Sequence, residues 1–111
     1  MWAVIQTSEF KEWYDELDED AREDILSSII ILQNTGPILG RPKVDTLKGS
    51  KIKNLKELRV QSNGRPFRVF FLFDSKKKIV LLTGGNKQND KSFYKRKILE
   101  SEKIYKEYFS S

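Results

Sequence analysis

Residues 54–87, NLKELRVQSNGRPFRVFFLFDSKKKIVLLTGGNK, decide the fold. They read as three consecutive β-strands at 55–60, 67–73 and 78–84, rich in β-branched and aromatic residues and separated by turn signals. Asn63-Gly64 is the dipeptide of a type I′ hairpin, because both residues tolerate the positive φ that this turn requires. With those two residues as the turn, Val60 faces Phe67 and Arg59 faces Arg68. Pro66 falls opposite Gln61 at a position that asks for no amide proton. A second turn at 74–77 then sets Arg68 against Thr83, Phe70 against Leu81 and Leu72 against Ile79. One face of this meander carries Phe70, Leu72, Ile79 and Leu81, with Arg59, Arg68 and Thr83 at one end. The other face carries Val69, Phe71, Phe73, Val80 and Leu82. Both faces are apolar in the middle, so helices must cover both.

The chain leaves the third strand at the charged end and brings Lys87 back through Gly84-Gly85-Asn86 toward the two arginines. Like charges opposed across a ladder are unfavourable. Glu57 has the parity to share their face and neutralise one of them, which would make the cluster structural. The functional reading is a phosphate pocket, in which arginine supplies planar paired donors and lysine a point charge.

Outward from this stretch, residues 2–7 (WAVIQT) form a short strand. Thr7 or Ser8 caps a helix whose apolar stripe is Phe10, Trp13, Tyr14 and Leu17. Asp18 caps a second helix with Ala21, Ile25, Ile29 and Leu32 inward and Leu26, Ile30 and Ile31 widening that face. Gly36-Pro37 ends it. The two helices follow so closely that they should form a hairpin. Residues 36–53 read as a loop with three of the six glycines, two of the three prolines and five basic residues. It is either a basic flap near RNA or a solvated connector. Residues 90–109 form the last helix, capped by Asn89 or Asp90. Phe93, Tyr94, Ile98, Ile104, Tyr105, Tyr108 and Phe109 lie on one arc, with Leu99 outside it. Tyr94 belongs either to the pocket rim or to the core. The expected fold is therefore α+β: one domain over 1–111, a small antiparallel sheet made of the N-terminal strand and the meander, an N-terminal helix hairpin and a C-terminal helix.

Composition bounds the chemistry. The 111 residues contain no cysteine and no histidine. Thiol or imidazole nucleophiles, disulfides and cysteine or histidine metal sites are excluded, and no metal or cofactor is expected. Any acid–base step must use Lys, Tyr, Asp, Glu or Arg. The net charge is +5, but it is unevenly placed. Residues 1–35 hold nine of the sixteen acids and only two of the twenty-one bases. The basic remainder suits a polyanion such as nucleic acid, with Lys48, Lys51, Lys53, Arg65, Lys91 and Lys95 as candidate RNA or phosphate contacts. The N-terminus has neither the basic segment nor the cleavage site of a signal peptide, and no apolar run is long enough for a membrane span. A cytoplasmic protein without membrane contact is expected.

The order strand, helix hairpin, meander, terminal helix resembles the RelE/ParE toxin superfamily. GRPKVDTLKGSKIKNLKELR (40–59), RVFFLFD (68–74) and GGNKQND (84–90) resemble HigB-type and phage-derived toxins of type II toxin–antitoxin modules. The resemblance spans essentially the whole chain. It implies a RelE-like fold and a ribosome-dependent mRNA endonuclease (mRNA interferase) that inhibits translation. RNA cleavage without metal can proceed by attack of the ribose 2′-hydroxyl on the adjacent phosphate, and that is the expected reaction. It implies mRNA on the ribosome and a HigA-like helix-turn-helix antitoxin as partners. By motif position it makes Arg59, Arg68, Lys87 and Tyr94 the catalytic candidates. Lys87 would serve as base if neighbouring charge favours its neutral form, and Tyr94 as acid. Some HigB-like toxins use histidines, which this chain lacks. The alternatives are a ParE-like gyrase poison, a phage-derived host-inhibition protein that acts by binding alone, and a plain nucleic-acid-binding module.

Overall fold

The computed structural model describes residues 1–110. Among them the chain forms β1 (Ala3–Gln6), α1 (Ser8–Asp15), α2 (Glu19–Thr35), a 3-10 turn (Gly36–Ile38), β2 (Val44–Thr46), β3 (Lys56–Ser62), β4 (Arg65–Asp74), β5 (Lys78–Asn86) and α3 (Phe93–Phe109). The fold is α+β, and its strands make one sheet in the order β1-β5-β4-β3-β2.

The sheet is mixed rather than wholly antiparallel: β1 runs parallel to β5, and the other pairings are antiparallel. A hydrophobic pattern shows that a strand is buried but not which way it points. Here Thr7 holds the direction. Its hydroxyl donates toward Leu81 O (3.0 Å) and Leu82 O (2.7 Å) and accepts from Phe10 N, so one residue ends β1 and caps α1. β2 lies within what the sequence presents as a loop. It is three residues long, too short to leave an alternation signal, and pairs with Lys56–Leu58 of β3.

The first hairpin has the expected register. Asn63 and Gly64 both adopt positive φ (50° and 76°), and Arg59 faces Arg68, Val60 faces Phe67 and Gln61 faces Pro66. The second differs. Asp74 pairs with Lys78, so the loop is 75–77, with Lys77 in the left-handed region at φ 61°. That is a three-residue loop, and the extra residue turns β5 over relative to expectation. Val80 and Leu82 therefore join Phe70 and Leu72, while Ile79 and Leu81 join Val69 and Phe71. A bulge between Phe70 and Phe71 adds a second one-residue step. The two steps restore parity, but Thr83 ends up opposite Phe70 and Gly85 opposite Arg68. The expected Arg68–Thr83 pair does not form.

Each face of the sheet has its own core. Phe10, Ala21, Ile25, Ile29 and Leu32 of α1 and α2 cover Leu58, Val60, Phe67, Val69, Phe71, Ile79 and Leu81. Phe93 and Ile104 of α3, with Ile52 and Leu55, cover Phe70, Leu72, Val80 and Leu82. Gly84 and Gly85 belong to β5 rather than to an exit turn. They point to opposite faces and let Trp13 on one side, Phe93 and Lys97 on the other, rest on the strand. Three further expectations are corrected. Leu26, Ile30 and Ile31 lie outside the core, close to half exposed. Tyr108 and Phe109 are exposed at the end of α3. α3 starts at Phe93, because Asp90 accepts from Ser92 N and Oγ and closes a separate turn ahead of the helix. No described helix is long and apolar enough to cross a membrane.

Candidate active site

Odd-numbered positions of β3 and even-numbered positions of the facing part of β4 point to the α3 side. This alternation places Glu57, Arg59 and Arg68 together, with Tyr94 arriving from the first turn of α3. Glu57 is the centre. It is buried, 2% exposed. Its Oε1 accepts from the Tyr94 hydroxyl at 2.6 Å and lies 3.4 Å from Arg68 Nε. Its Oε2 accepts from Arg59 Nε at 3.1 Å. Arg68 Nε also donates toward Tyr94 Oη (3.3 Å), and Arg68 Nη1 donates to Phe67 O (3.0 Å). Both arginines thus share a carboxylate, contrary to a cluster of bare cations, and the shared charge offsets their cross-strand repulsion. Sequence parity marked Glu57 as able to reach one arginine; reaching both depends on it standing one residue pair inward of them.

Asp45 of β2 extends the network outward. It pairs with Arg59 Nη2 (3.2 Å) and Arg41 Nη2 (3.1 Å). The hydrogen bond from Arg41, ahead of the charge of Arg59, holds its carboxyl below the usual range. Asp45 was not legible as a site residue, because its strand was not. Lys87 returns as expected. Its amide donates to Pro66 O at 2.9 Å, and its ammonium lies 5.5 Å from the Tyr94 ring centroid, a cation–π distance. Four cations (Arg41, Arg59, Arg68, Lys87) and two carboxylates (Asp45, Glu57) leave the cluster with two surplus positive charges. Arg59 Nη1 and Arg68 Nη2 have no partner among the described residues. They are donors available to a phosphate.

Tyr94 belongs to both environments left open by sequence. Its ring packs edge-on against Phe70 and Phe93, and its hydroxyl enters the polar cluster. Burial first, then the hydrogen bond to Glu57, push its phenol above the ordinary value near 10. The neutral phenol is therefore favoured by folding. That contribution is complete below about pH 10 and is lost as pH rises through the folded value. The difference in tyrosinate absorbance between wild type and Tyr94→Phe is expected only above pH 10; a step appearing near pH 9 would contradict the placement.

The other basic candidates are dispersed. Arg65 lies on the opposite face, over the Phe67 ring (5.2 Å), and is held by two hydrogen bonds to Asp18 (2.7 and 3.1 Å). Lys48, Lys51 and Lys53 are exposed on a segment that is anchored rather than free. Ile52 is buried, and Ser50 Oγ (3.2 Å) and Lys51 N (2.7 Å) donate to Glu102. Glu102 stands eight residues along α3 from Tyr94, about 12 Å at helical rise, so these lysines do not join the cluster. Lys91 and Lys95 are exposed near the start of α3. Among the described residues no group of acidic side chains converges as a metal site.

A groove of about 590 Å³ opens beside the two arginines, between α2 and the end of β3 that β2 leaves uncovered. Arg59 and Arg68 of the strands and Lys43 line it, together with Asp24, Ser27 and Ser28 of α2. Arginine donors, a neutral phenol and a lysine within one cluster can bind a phosphodiester, stabilise charge developing on its oxygens and supply a proton.

A family model described as phage derived protein Gp49-like matches residues 12–106. The chain is 37% identical over 100 residues to a protein of Mycobacterium tuberculosis named putative toxin HigB2, a match covering 88% of this chain and 50% of that protein. It is 38% identical over 97 residues to putative toxin HigB3 of the same organism, covering 86% of this chain and 83% of that protein. The chain thus spans about half the length of the first relative and most of the second. Among solved structures, a chain of the intact E. coli RelBE toxin–antitoxin complex superposes with a TM-score of 0.62 at 10% identity, covering 77% of this chain and 95% of that one. At that identity the likeness is one of fold.

Proposed function

Since the chain belongs to the phage derived Gp49-like family and is 38% identical to a protein named putative toxin HigB3, we propose that it is a HigB-type toxin of the RelE superfamily, one half of a toxin–antitoxin pair, and cleaves mRNA on the ribosome without a metal. The observation that carries this reading is the pair of arginines opposed across β3 and β4. Each keeps a free guanidinium nitrogen beside an open groove, next to a neutral tyrosine.

The reaction is an in-line displacement. The ribose 2′-oxygen bonds to the adjacent phosphorus, the bond from phosphorus to the 5′-oxygen breaks, and a 2′,3′-cyclic phosphate and a 5′-hydroxyl result. Arg59 and Arg68 clamp the non-bridging oxygens and meet the charge that grows there. Lys87 takes the 2′-hydroxyl proton, and Tyr94 gives its proton to the leaving 5′-oxygen. Glu57 holds both guanidinium groups and the phenol in place. The ribosome contributes by presenting the strand in attack geometry. The partners are translated mRNA in the cytoplasm and a helix-turn-helix antitoxin. The toxin names of the mycobacterial relatives support the class, and the RelBE complex supports an antitoxin partner for this fold.

The test is cleavage of a translated mRNA by purified protein with ribosomes. Arg68→Ala and Arg59→Ala are each expected to lower the rate about 10²-fold, the usual loss for one preorganised transition-state donor. A 2′-deoxy substitution at the cleaved nucleotide is expected to stop the reaction. Full activity in the double arginine variant would overturn the clamp. DNA damage on induction, without mRNA cleavage, would instead favour a gyrase poison.

A further inference from the structure

We propose that the groove between α2 and the free end of β3 is a nucleobase subsite that selects guanine, with Asp24 as its specificity-determining residue. The inference rests on the phosphate-clamp reading and extends it from the phosphate to the base. The groove is lined from two sides. The strands contribute Arg59, Arg68, Val60, Gln61 and Pro66, and α2 contributes Asp24, Ser27, Ser28 and Ile31. Cationic donors on the strands, apolar surface from Ile31, Pro42, Val60 and Pro66, and hydrogen-bonding groups on α2 are the three kinds of contact a nucleotide asks for. The volume of about 590 Å³ is within the range of ligand pockets.

Four observations indicate that the α2 side of the groove is unoccupied by the protein's own contacts. Asp24, Ser27 and Ser28 stand at i, i+3 and i+4, so one helix face turns all three toward the groove. Neither they nor Gln61 have a side-chain hydrogen-bond or ion-pair partner among the described residues, whereas nearby Asp18 and Asp20 are engaged by Arg65 and Asn63. Ile31 is 45% exposed although it faces this groove rather than open helix surface. A base inserted between it and Pro66 would cover it. The backbone edge of β3 beyond Arg59 is also unpaired, since β2 reaches only Leu58 and Lys43 O closes on Arg59 N.

The choice of base follows from the acid. A carboxylate only accepts hydrogen bonds. Guanine presents two adjacent donors, N1–H and the 2-amino group, to a paired acceptor. Adenine and cytosine each offer one exocyclic amine, and uracil a single N3–H. Unpaired RNA bases are read along this edge by side chains. A negative side chain inside a site for a polyanion costs affinity for the strand as a whole, which only a paired contact to the base offsets.

Binding of the four nucleoside 3′-monophosphates and of inorganic phosphate to the full chain, by calorimetry or NMR titration at low salt, tests this. Guanosine 3′-monophosphate is expected to bind about tenfold tighter than the other three, in keeping with the value of a good paired base contact. Asp24→Asn should abolish that preference and leave phosphate affinity within about twofold. Glu23→Gln, which removes a charge from α2 outside the groove, should raise all affinities alike and keep the order. Four equal affinities, or an unchanged order in Asp24→Asn, would overturn the base subsite while phosphate binding upheld the clamp. Failure of the wild-type protein to bind inorganic phosphate or any of the nucleotides would overturn both.

Discussion

Replacing Glu57 by leucine is expected to lower the thermal midpoint by about 12–20 °C, from a loss of about 3–5 kcal/mol typical of removing one partner of a buried charge pair. The side chain is 2% exposed and bridges two guanidinium groups and a phenol. Leucine removes the charge that lets Arg59 and Arg68 stand opposite one another, and leaves the Tyr94 hydroxyl without its acceptor. Arg59 keeps Asp45 at 3.2 Å; Arg68 has no other carboxylate among the described residues, and its side chain is only 12% exposed. Glu57→Gln should lose less, because an amide oxygen can still accept from Tyr94. The role assigned to the cluster yields a second readout. With the internal anion gone, an added phosphate or sulfate should raise the midpoint of Glu57→Leu more than that of wild type, since the two arginines then take their counter-charge from solution. An unchanged midpoint would mean that the network contributes nothing to folding. A lowered midpoint with no anion rescue would mean that the arginines do not form an anion site.

The cross-strand arginines were legible because Asn63-Gly64 admits one turn type and one register. The second turn was not, because Asp74-Ser75-Lys76-Lys77 contains no residue that demands a particular φ; the lysine that takes the left-handed conformation looks like its neighbours. From that one residue the faces of Val80, Leu82, Ile79 and Leu81 all changed places, and the bulge at Phe70/Phe71 then returned Thr83 to its expected face by another route. The parallel direction of β1 and the existence of β2 rest on long-range contacts, Thr7 with Leu81 and Leu82 and Val44 with Leu58, which local periodicity does not carry. The candidate site shows the same division. Residues on β3 and β4 could be placed by parity. Asp45 and the α2 wall of the groove could not, since each comes from an element whose docking the sequence does not encode locally. The isoleucines of α2 show the limit in reverse. A helical apolar pattern counts Ile30 and Ile31 as core, and only the docked helix shows that Ile31 faces a groove.

Gly84→Ala is expected to destabilise the protein by about 2–3 kcal/mol, the upper range for forcing extra atoms into packed structure. The reason is contact, not backbone freedom. A Cβ on Gly84 would stand 2.3 Å from Trp13 Cζ3 and 2.5 Å from Cε3 and Cη2. The indole lies against the strand and is held by Phe10 at 5.7 Å and Phe67 at 6.2 Å between ring centroids, so it can retreat only toward its solvent side and at the expense of those contacts. Gly85→Ala is the contrasting case. Its Cβ would approach Lys97 Cε at 2.7 Å and Phe93 Cε1 at 2.8 Å. A lysine end moves easily, but Phe93 is fully buried and must also shift. A smaller loss is therefore expected, together with displacement of the first turn of α3, which carries Tyr94 to Glu57. The two variants should separate. Gly84→Ala should lower stability while sparing the cleavage rate of the folded fraction; Gly85→Ala should lower the rate more than its stability loss explains. A double-mutant cycle isolates the contact. In a Trp13→Leu background, Gly84→Ala should cost less than about 1 kcal/mol, because neighbouring substitutions that relieve one clash are not additive. A full cost in that background would place the strain somewhere other than the indole.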